Sequence, residues 1–170
     1  MAIPALPEQT RTPPSPTALP AFNSAPAAEA QRLLLGCLRS LRWADRVAAH
    51  RPYPDVESLL AASDEAAYDL SPTDLAEALA GETLPPLPDE TYAIAYTALS
   101  AAHAAYEAKF GHAFVICVDG LDENETLDHA LAGIRSRLAN DPEEERVVAA
   151  EELRRLARAR LLDALRGAGL

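Results

Sequence analysis

The chain has 170 residues, 49% of them apolar, and carries 26 acidic against 15 basic side chains for a formal charge of −11. That length supports one domain whose core needs neither a disulfide nor a metal. The acidic balance repels phosphate backbones and anionic lipid, which excludes nucleic acid and membrane surfaces as partners.

The first twenty residues hold prolines at positions 4, 7, 13, 14, 16 and 20 among Thr, Ala and Ser. No continuous backbone ladder forms over such a run, so residues 1–21 read as a disordered tail and 22–170 as a single domain. From Phe22 onward, abundant Ala and Leu, few aromatics and scarce β-branched runs predict an all-α body, a compact helical bundle. Ser24 with Pro26 predicts a helix through Leu33, Leu34 and Leu35 to Cys37, and Ser40 a second around Trp43 and Val47 that ends near Arg51-Pro52. Asp55 predicts a short capped helix with Val56, Leu59 and Leu60. Ser71-Pro72-Thr73-Asp74 opens the next, through Leu75, Ala78 and Leu79, and Gly81 stops it.

Residues 81–88 contain three prolines and a glycine and predict a loop. Pro88-Asp89-Glu90 then predicts the longest helix, through Tyr92, Tyr96, Leu99 and Tyr106, with Gly111 as its left-handed cap. Asn124 or Glu125 starts a helix bearing Leu127, Leu131, Ile134 and Leu138. Asp141-Pro142 starts the last, with Val147, Leu153, Leu156, Leu161 and Leu165 at helical spacing.

The two cysteines, Cys37 and Cys117, sit inside apolar patterns, where a buried free thiol is expected rather than a bridge. No run of about 18 apolar residues offers a membrane span, and the N-terminus lacks the basic start and apolar core of a secretion signal. The protein therefore reads as soluble and cytoplasmic. There is no Gly-rich phosphate loop, no cysteine pair at zinc spacing and no His-Glu-x-x-His, and His50, His103, His112 and His129 are too scattered for a ligand set. No metal or cofactor is expected.

The informative segment is Tyr106-Glu107-Ala108-Lys109-Phe110-Gly111-His112-Ala113-Phe114-Val115-Ile116-Cys117, where a helical pattern stops at a glycine and turns into a short apolar run. It resembles the Tyr-Glu-x-x-Phe-Gly-His-x-Phe signature of the 2-oxo-4-hydroxy-4-carboxy-5-ureidoimidazoline (OHCU) decarboxylases. The resemblance spans Phe22 to Leu165: Phe22-Asn23 with Pro26, Cys37, Ser40-Leu41-Arg42-Trp43-Ala44, Arg51-Pro52-Tyr53, Asp74-Leu75 with Ala78-Leu79, Asn140-Asp141-Pro142 with Glu145, and Glu152-Leu153 followed by Arg160-Leu161. It implies the family's helical fold, a ureidoimidazoline-like small-molecule substrate, cofactor-free acid/base decarboxylation to (S)-allantoin in urate breakdown, and a homodimer. It also implies that Phe114, Val115, Ile116, Cys117 and Val118 form a substrate-binding wall that offers backbone amides and carbonyls to a flat, amide-rich ring.

The departures from the family pattern fall at its chemical centre. The family follows its Ala-Leu helix with a His-Pro pair, the histidine being its acid/base; this chain has Glu82-Thr83 there, which makes Glu82 the candidate catalytic residue and Thr83 a candidate contact. A carboxylate can shuttle protons if burial favours its neutral form, whereas a charged one repels an anionic substrate. Of the family's Ser-x-x-Glu-Gln substrate motif, Leu87-Pro88-Asp89-Glu90-Thr91 keeps only Glu90, a substrate contact or a first-turn helix acid. Leu121 replaces a carboxylate-pairing arginine, and His103 can serve as a replacement base only if its helix face points into the pocket. The alternative to a decarboxylase is a catalytically inactive or repurposed paralogue that binds a small molecule or a protein partner on the same scaffold.

Overall fold

The computed structural model describes residues 18–83 and 93–167. Eight helices and no strand occur among the described residues: α1 Leu19–Ser24, α2 Ala27–Cys37, α3 Leu41–Ala49, α4 Val56–Tyr68, α5 Pro72–Ala80, α6 Ala93–Phe110, α7 Glu123–Arg137 and α8 Pro142–Gly167. The all-α expectation holds.

The polar starts of these helices are set locally. Ser40 Oγ accepts from Trp43 N at 3.3 Å and Asp55 Oδ1 from Ser58 N at 2.7 Å, each satisfying one of the free first-turn amides. Ser71 and Asp74 exchange bonds in a capping box with Pro72 at the first helical position. Gly111, at φ 79°, adopts the left-handed conformation that closes α6, its amide donating to Glu107 O at 2.8 Å.

Four expectations change. The tail boundary at residue 21 moves, since α1 begins at Leu19, which is buried with Phe22 and tied to the far end of the chain by Ala18 N donating to Leu165 O at 3.0 Å; residues 1–17 lie outside the described residues. Ser24 does not cap α2, because its hydroxyl turns back to Pro20 O at 2.9 Å. Asp122, not Asn124 or Glu125, caps α7, with Glu125 completing the box. The longest described helix is α8 with 26 residues, against 18 in α6. On α8 the buried face is Glu145, Ala149, Leu153, Ala157, Leu161 and Leu165, a strict four-residue repeat that leaves Val147 exposed.

α8 lies along α4 and α2, and α3 packs between α2 and α4. Trp43 is fully enclosed at the centre of this body, its indole N–H donating to Ser63 O at 3.0 Å. Phe22-Asn23 and Arg51-Pro52-Tyr53, far apart in sequence, are clamped together. Asn23 exchanges two bonds with the Tyr53 backbone at 2.9 and 2.8 Å, and Arg51 Nη1 donates to Phe22 O and Ala25 O at 2.7 and 2.8 Å. A smaller cluster of Tyr106, Phe114 and Ile134 sits between α6, α7 and the extended segment that follows Gly111.

Candidate active site

The extended segment 113–118 belongs to no sheet, so side chains and neighbouring helices must hold it in place. Three side chains distant in sequence anchor it. His103 Nε2 accepts the Phe114 amide at 3.2 Å, Arg137 Nη1 donates to Val115 O at 2.6 Å, and Glu152 Oε2 accepts the Cys117 amide at 2.7 Å. No hydrogen bond among the described residues claims the amides of Val115, Ile116 or Val118.

Arg137 is itself buried, as is its partner Glu145, which is fully enclosed. Arg137 Nε and Nη2 donate to Glu145 Oε1 at 2.8 and 2.5 Å, Asn140 Nδ2 donates to Glu145 Oε2 at 3.0 Å, and the Tyr106 hydroxyl donates to Glu145 as well. The guanidinium also lies 4.4 Å from the Phe114 ring centroid. A buried carboxylate is tolerated because a guanidinium neutralises it and both of its oxygens accept hydrogen bonds. Burial and the Glu145 contact push the Tyr106 hydroxyl well above its ordinary range, so it remains a proton donor. Gly133 on α7 admits the wall closely: a Cβ there would stand 2.9 Å from Ile116 Cδ1 and 3.5 Å from Phe114 Cζ.

Against this wall lies a cavity of about 430 Å³, bordered by the end of α2 with Arg39, by residues 81–83, by Leu99 of α6, by Thr126 and Ala130 of α7, and by Leu156 and Arg160 of α8. Phe114, Val115, Ile116 and Val118 line it. Glu82 is its one carboxylate among the described residues, and Arg160 holds both oxygens of Glu82, Nη1 to Oε1 at 2.7 Å and Nη2 to Oε2 at 2.9 Å. Arg160 Nη1 also reaches Cys37 O at 3.2 Å, and the Glu82 bonds raise the guanidinium's affinity for its proton further. Burial pushes the Cys37 thiol up to about 11, with Arg160 opposing, so this cavity-lining sulfur is a neutral thiol at physiological pH.

Of the residues expected at the site, Glu82, Thr83, Phe114, Val115, Ile116 and Val118 are brought together around this cavity. Cys117 is not: it lies on the opposite side of the wall, in a charged depression with Asp64, Arg154 and Arg158, because alternate residues of an extended chain face opposite ways. Glu90 lies outside the described residues. His103 is buried and spends Nε2 on the wall, its Nδ1 standing 3.8 Å from Glu107 Oε1; it does not line the cavity beside Glu82, where a replacement base would have to stand. His112 and Gly111 line a separate cavity of about 460 Å³. Leu121 is exposed.

Arg160 is the cavity residue that sequence reasoning passed over. It is one of four arginines, with Arg154, Arg155 and Arg158, beside the buried Leu153-Ala157-Leu161 row, and nothing in the sequence sets it apart from its helix-surface neighbours until the bundle closes. Among the described residues no group of three or more His, Cys, Asp or Glu side chains is arranged to hold a metal ion, and no helix is long and apolar enough to cross a membrane.

The family model for OHCU decarboxylase matches residues 23–87 and 87–162. The chain belongs to the OHCU decarboxylase family. The fold agrees with solved structures of that kind. A crystal structure of (S)-allantoin synthase superposes with a TM-score of 0.69 at 22% identity, covering 88% of this chain and 54% of the other. One of OHCU decarboxylase in the presence of (S)-allantoin superposes with a TM-score of 0.64 at 21% identity, covering 78% of this chain and 96% of the other. The chain thus spans about half the length of the synthase and nearly all of the decarboxylase. No curated protein matches it significantly in sequence. Within the OHCU decarboxylase fold, the segment Tyr106 to Cys117 builds the wall, and Glu82 stands directly after α5.

Proposed function

We propose that this OHCU decarboxylase family member takes 2-oxo-4-hydroxy-4-carboxy-5-ureidoimidazoline into the cavity beside Arg160 and decarboxylates it to (S)-allantoin, a step of urate breakdown. The observation that carries the reading is Arg160: a guanidinium on the border of an otherwise largely apolar cavity of about 430 Å³, a size suited to a small planar ligand. A guanidinium fork matches a carboxylate bidentately. With the carboxylate on Arg160, the ring lies against Phe114 to Val118, whose unclaimed amides at Val115, Ile116 and Val118 suit its carbonyls. Thr83 stands at the rim, and Glu90 is proposed as a second polar contact.

Loss of CO2 leaves an electron pair that the substrate's own ring delocalises, so the protein's tasks are orientation and delivery of one proton to one face. Glu82 is the cavity's carboxyl group and takes the place of the family histidine.

A second reading is supported by one specific feature. Both Glu82 oxygens are already engaged by Arg160, so among the described residues the cavity's one carboxylate is not free to act as acid or base, as suits a family member that binds a ligand without turning it over. One assay separates the two. The intermediate is generated freshly from urate and the optical activity of allantoin followed with and without the protein. Faster, stereoselective formation supports the decarboxylase; decay at the spontaneous rate leaves the binding protein.

A further inference from the structure

Glu82 occupies an unusual place, because it borders both cavities: the one beside Arg160 and the second, of about 460 Å³, between α5, the end of α6 and the start of α8. Its side chain is 8% exposed, whereas that of its partner Arg160 is 38% exposed. The cation therefore presents accessible surface to the first cavity while its counter-ion is almost wholly enclosed. Among the described residues, the charged and titratable ones lining the two cavities with Glu82 are Arg160, Arg39 and Cys37 on the first side, and Glu107, His112 and Arg146 on the second.

The terminal edge of the Arg160 guanidinium is fully used by the two Glu82 oxygens. An incoming carboxylate either takes that edge or binds the same cation beside Glu82, on the side of Nε. Sharing brings a second negative charge beside the Arg160–Glu82 pair in a largely apolar space whose other cation, Arg39, is exposed, and this is relieved when one carboxyl group binds a proton. The ligand's acid, whose electron-poor ring lowers its basicity, is the poorer acceptor; the alkyl carboxylate of Glu82 is the better one.

We propose that Glu82 is an exchangeable counter-ion: a ligand carboxylate displaces it from Arg160, and the released Glu82 takes up one proton from solvent. This deepens the decarboxylase reading and rests on it for the final step. There the bond from ring carbon to carboxylate breaks with its electron pair left on the ring, CO2 departs, and the neutral Glu82 gives its proton to that carbon. Glu82, again a carboxylate, re-pairs with the vacated Arg160. The proton taken up at binding is the one consumed, so the net change is R–COO⁻ plus H⁺ to R–H plus CO2.

The probe is orotate, a stable planar cyclic ureide with a carboxylate, against uracil, the same ring without it. Calorimetry of the full chain in two buffers of different ionisation heat counts protons taken up per ligand. Orotate is expected to bind at least about tenfold more tightly than uracil, with uptake approaching one proton, and its Kd to weaken by up to about tenfold per pH unit between about pH 6 and about pH 8. Glu82→Gln is expected to abolish the uptake and flatten the pH dependence. Orotate binding without proton uptake by the wild-type chain, a count that depends on no variant, overturns the exchange. So does an unchanged pH slope in a folded Glu82→Gln.

Activity is read separately with the fresh intermediate. Turnover without any orotate binding sinks the exchange and leaves the decarboxylase reading standing. Proton-linked orotate binding without turnover does the reverse.

Discussion

The imidazole of His103 and the backbone amide of Phe114 meet at 3.2 Å, with Nε2 as the acceptor. Because that nitrogen must be unprotonated, the ring is held as the neutral tautomer with its hydrogen on Nδ1, towards Glu107. Burial lowers the histidine's affinity for a second proton, and the Glu107 carboxylate only partly opposes this. A group whose affinity is depressed in the folded state contributes stability that is complete above its unfolded value, about 6.5, and is lost as pH falls below it. Thermal unfolding is expected to show Tm declining through that window, and His103→Gln, which cannot protonate, to remove this component of the decline. An unchanged pH dependence in the variant would exclude the histidine as its source.

Glu145 is enclosed and bonded to Arg137, Tyr106 and Asn140. Removing it alone leaves a buried guanidinium uncompensated, which costs about 3–5 kcal/mol. Urea denaturation of Glu145→Ala should show that loss, while the double change Arg137→Met with Glu145→Leu should recover most of it. If the double variant is as unstable as the single one, the network is not the cause.

Gly133→Ala separates stability from binding. Alanine favours the helix by about 1 kcal/mol over glycine, and the atom its Cβ meets, Ile116 Cδ1 at 2.9 Å, is the end of a side chain that can turn away. The direction left for it is the cavity that Ile116 lines. The expected result is unchanged or slightly raised stability in urea, with cavity-ligand affinity reduced about tenfold, which corresponds to 1.4 kcal/mol. Loss of both together would argue that α7 itself has shifted.

The Ser63 hydroxyl is buried and has no hydrogen-bond partner among the described residues, although the Ser63 carbonyl accepts from Trp43. Ser63→Ala removes an unsatisfied polar group and keeps the carbonyl, and should stabilise the chain by up to about 1 kcal/mol. A clear destabilisation in urea would mean that the hydroxyl is satisfied after all.

Cys37 is expected to resist alkylation. With its thiol raised to about 11 by burial, roughly one molecule in a thousand is thiolate at pH 8. Peptide mapping after brief iodoacetamide treatment should find the half-buried Cys117 modified and Cys37 intact, and equal labelling of both would contradict the buried placement.

Local chemistry made the helices legible. Ser40, Asp55 and Ser71 act within three residues of themselves, and Gly111 needs only its own positive φ. Boundaries slipped where a choice of cap depended on the partner, as at Asp122 with Glu125. Several family-like positions proved to be scaffold: Asn23 and Tyr53 bond to each other, Arg51 ties to the carbonyls of Phe22 and Ala25, and none of the three lines the cavity beside Arg160. The wall could be anticipated because an extended apolar run after a capped helix has few places to go. That Cys117 faces away from the cavity also follows from period-two alternation, once the direction of one neighbour is known. Arg160 could not be read this way, since its partner Glu82 is 78 residues distant and a helical arginine carries no mark of what it will meet.

Helix α8 carries Glu145, Glu152 and Arg160, spaced by seven and eight residues and hence about two turns apart each. The first acts on Val115 through Arg137, the second holds the Cys117 amide directly, and the third holds Glu82. One rigid rod therefore gauges the separation between the wall and the cavity's cation, independently of any loop. The residues after α5 can then be rewritten without moving that gauge, since the wall and the cavity's cation are both set by α8.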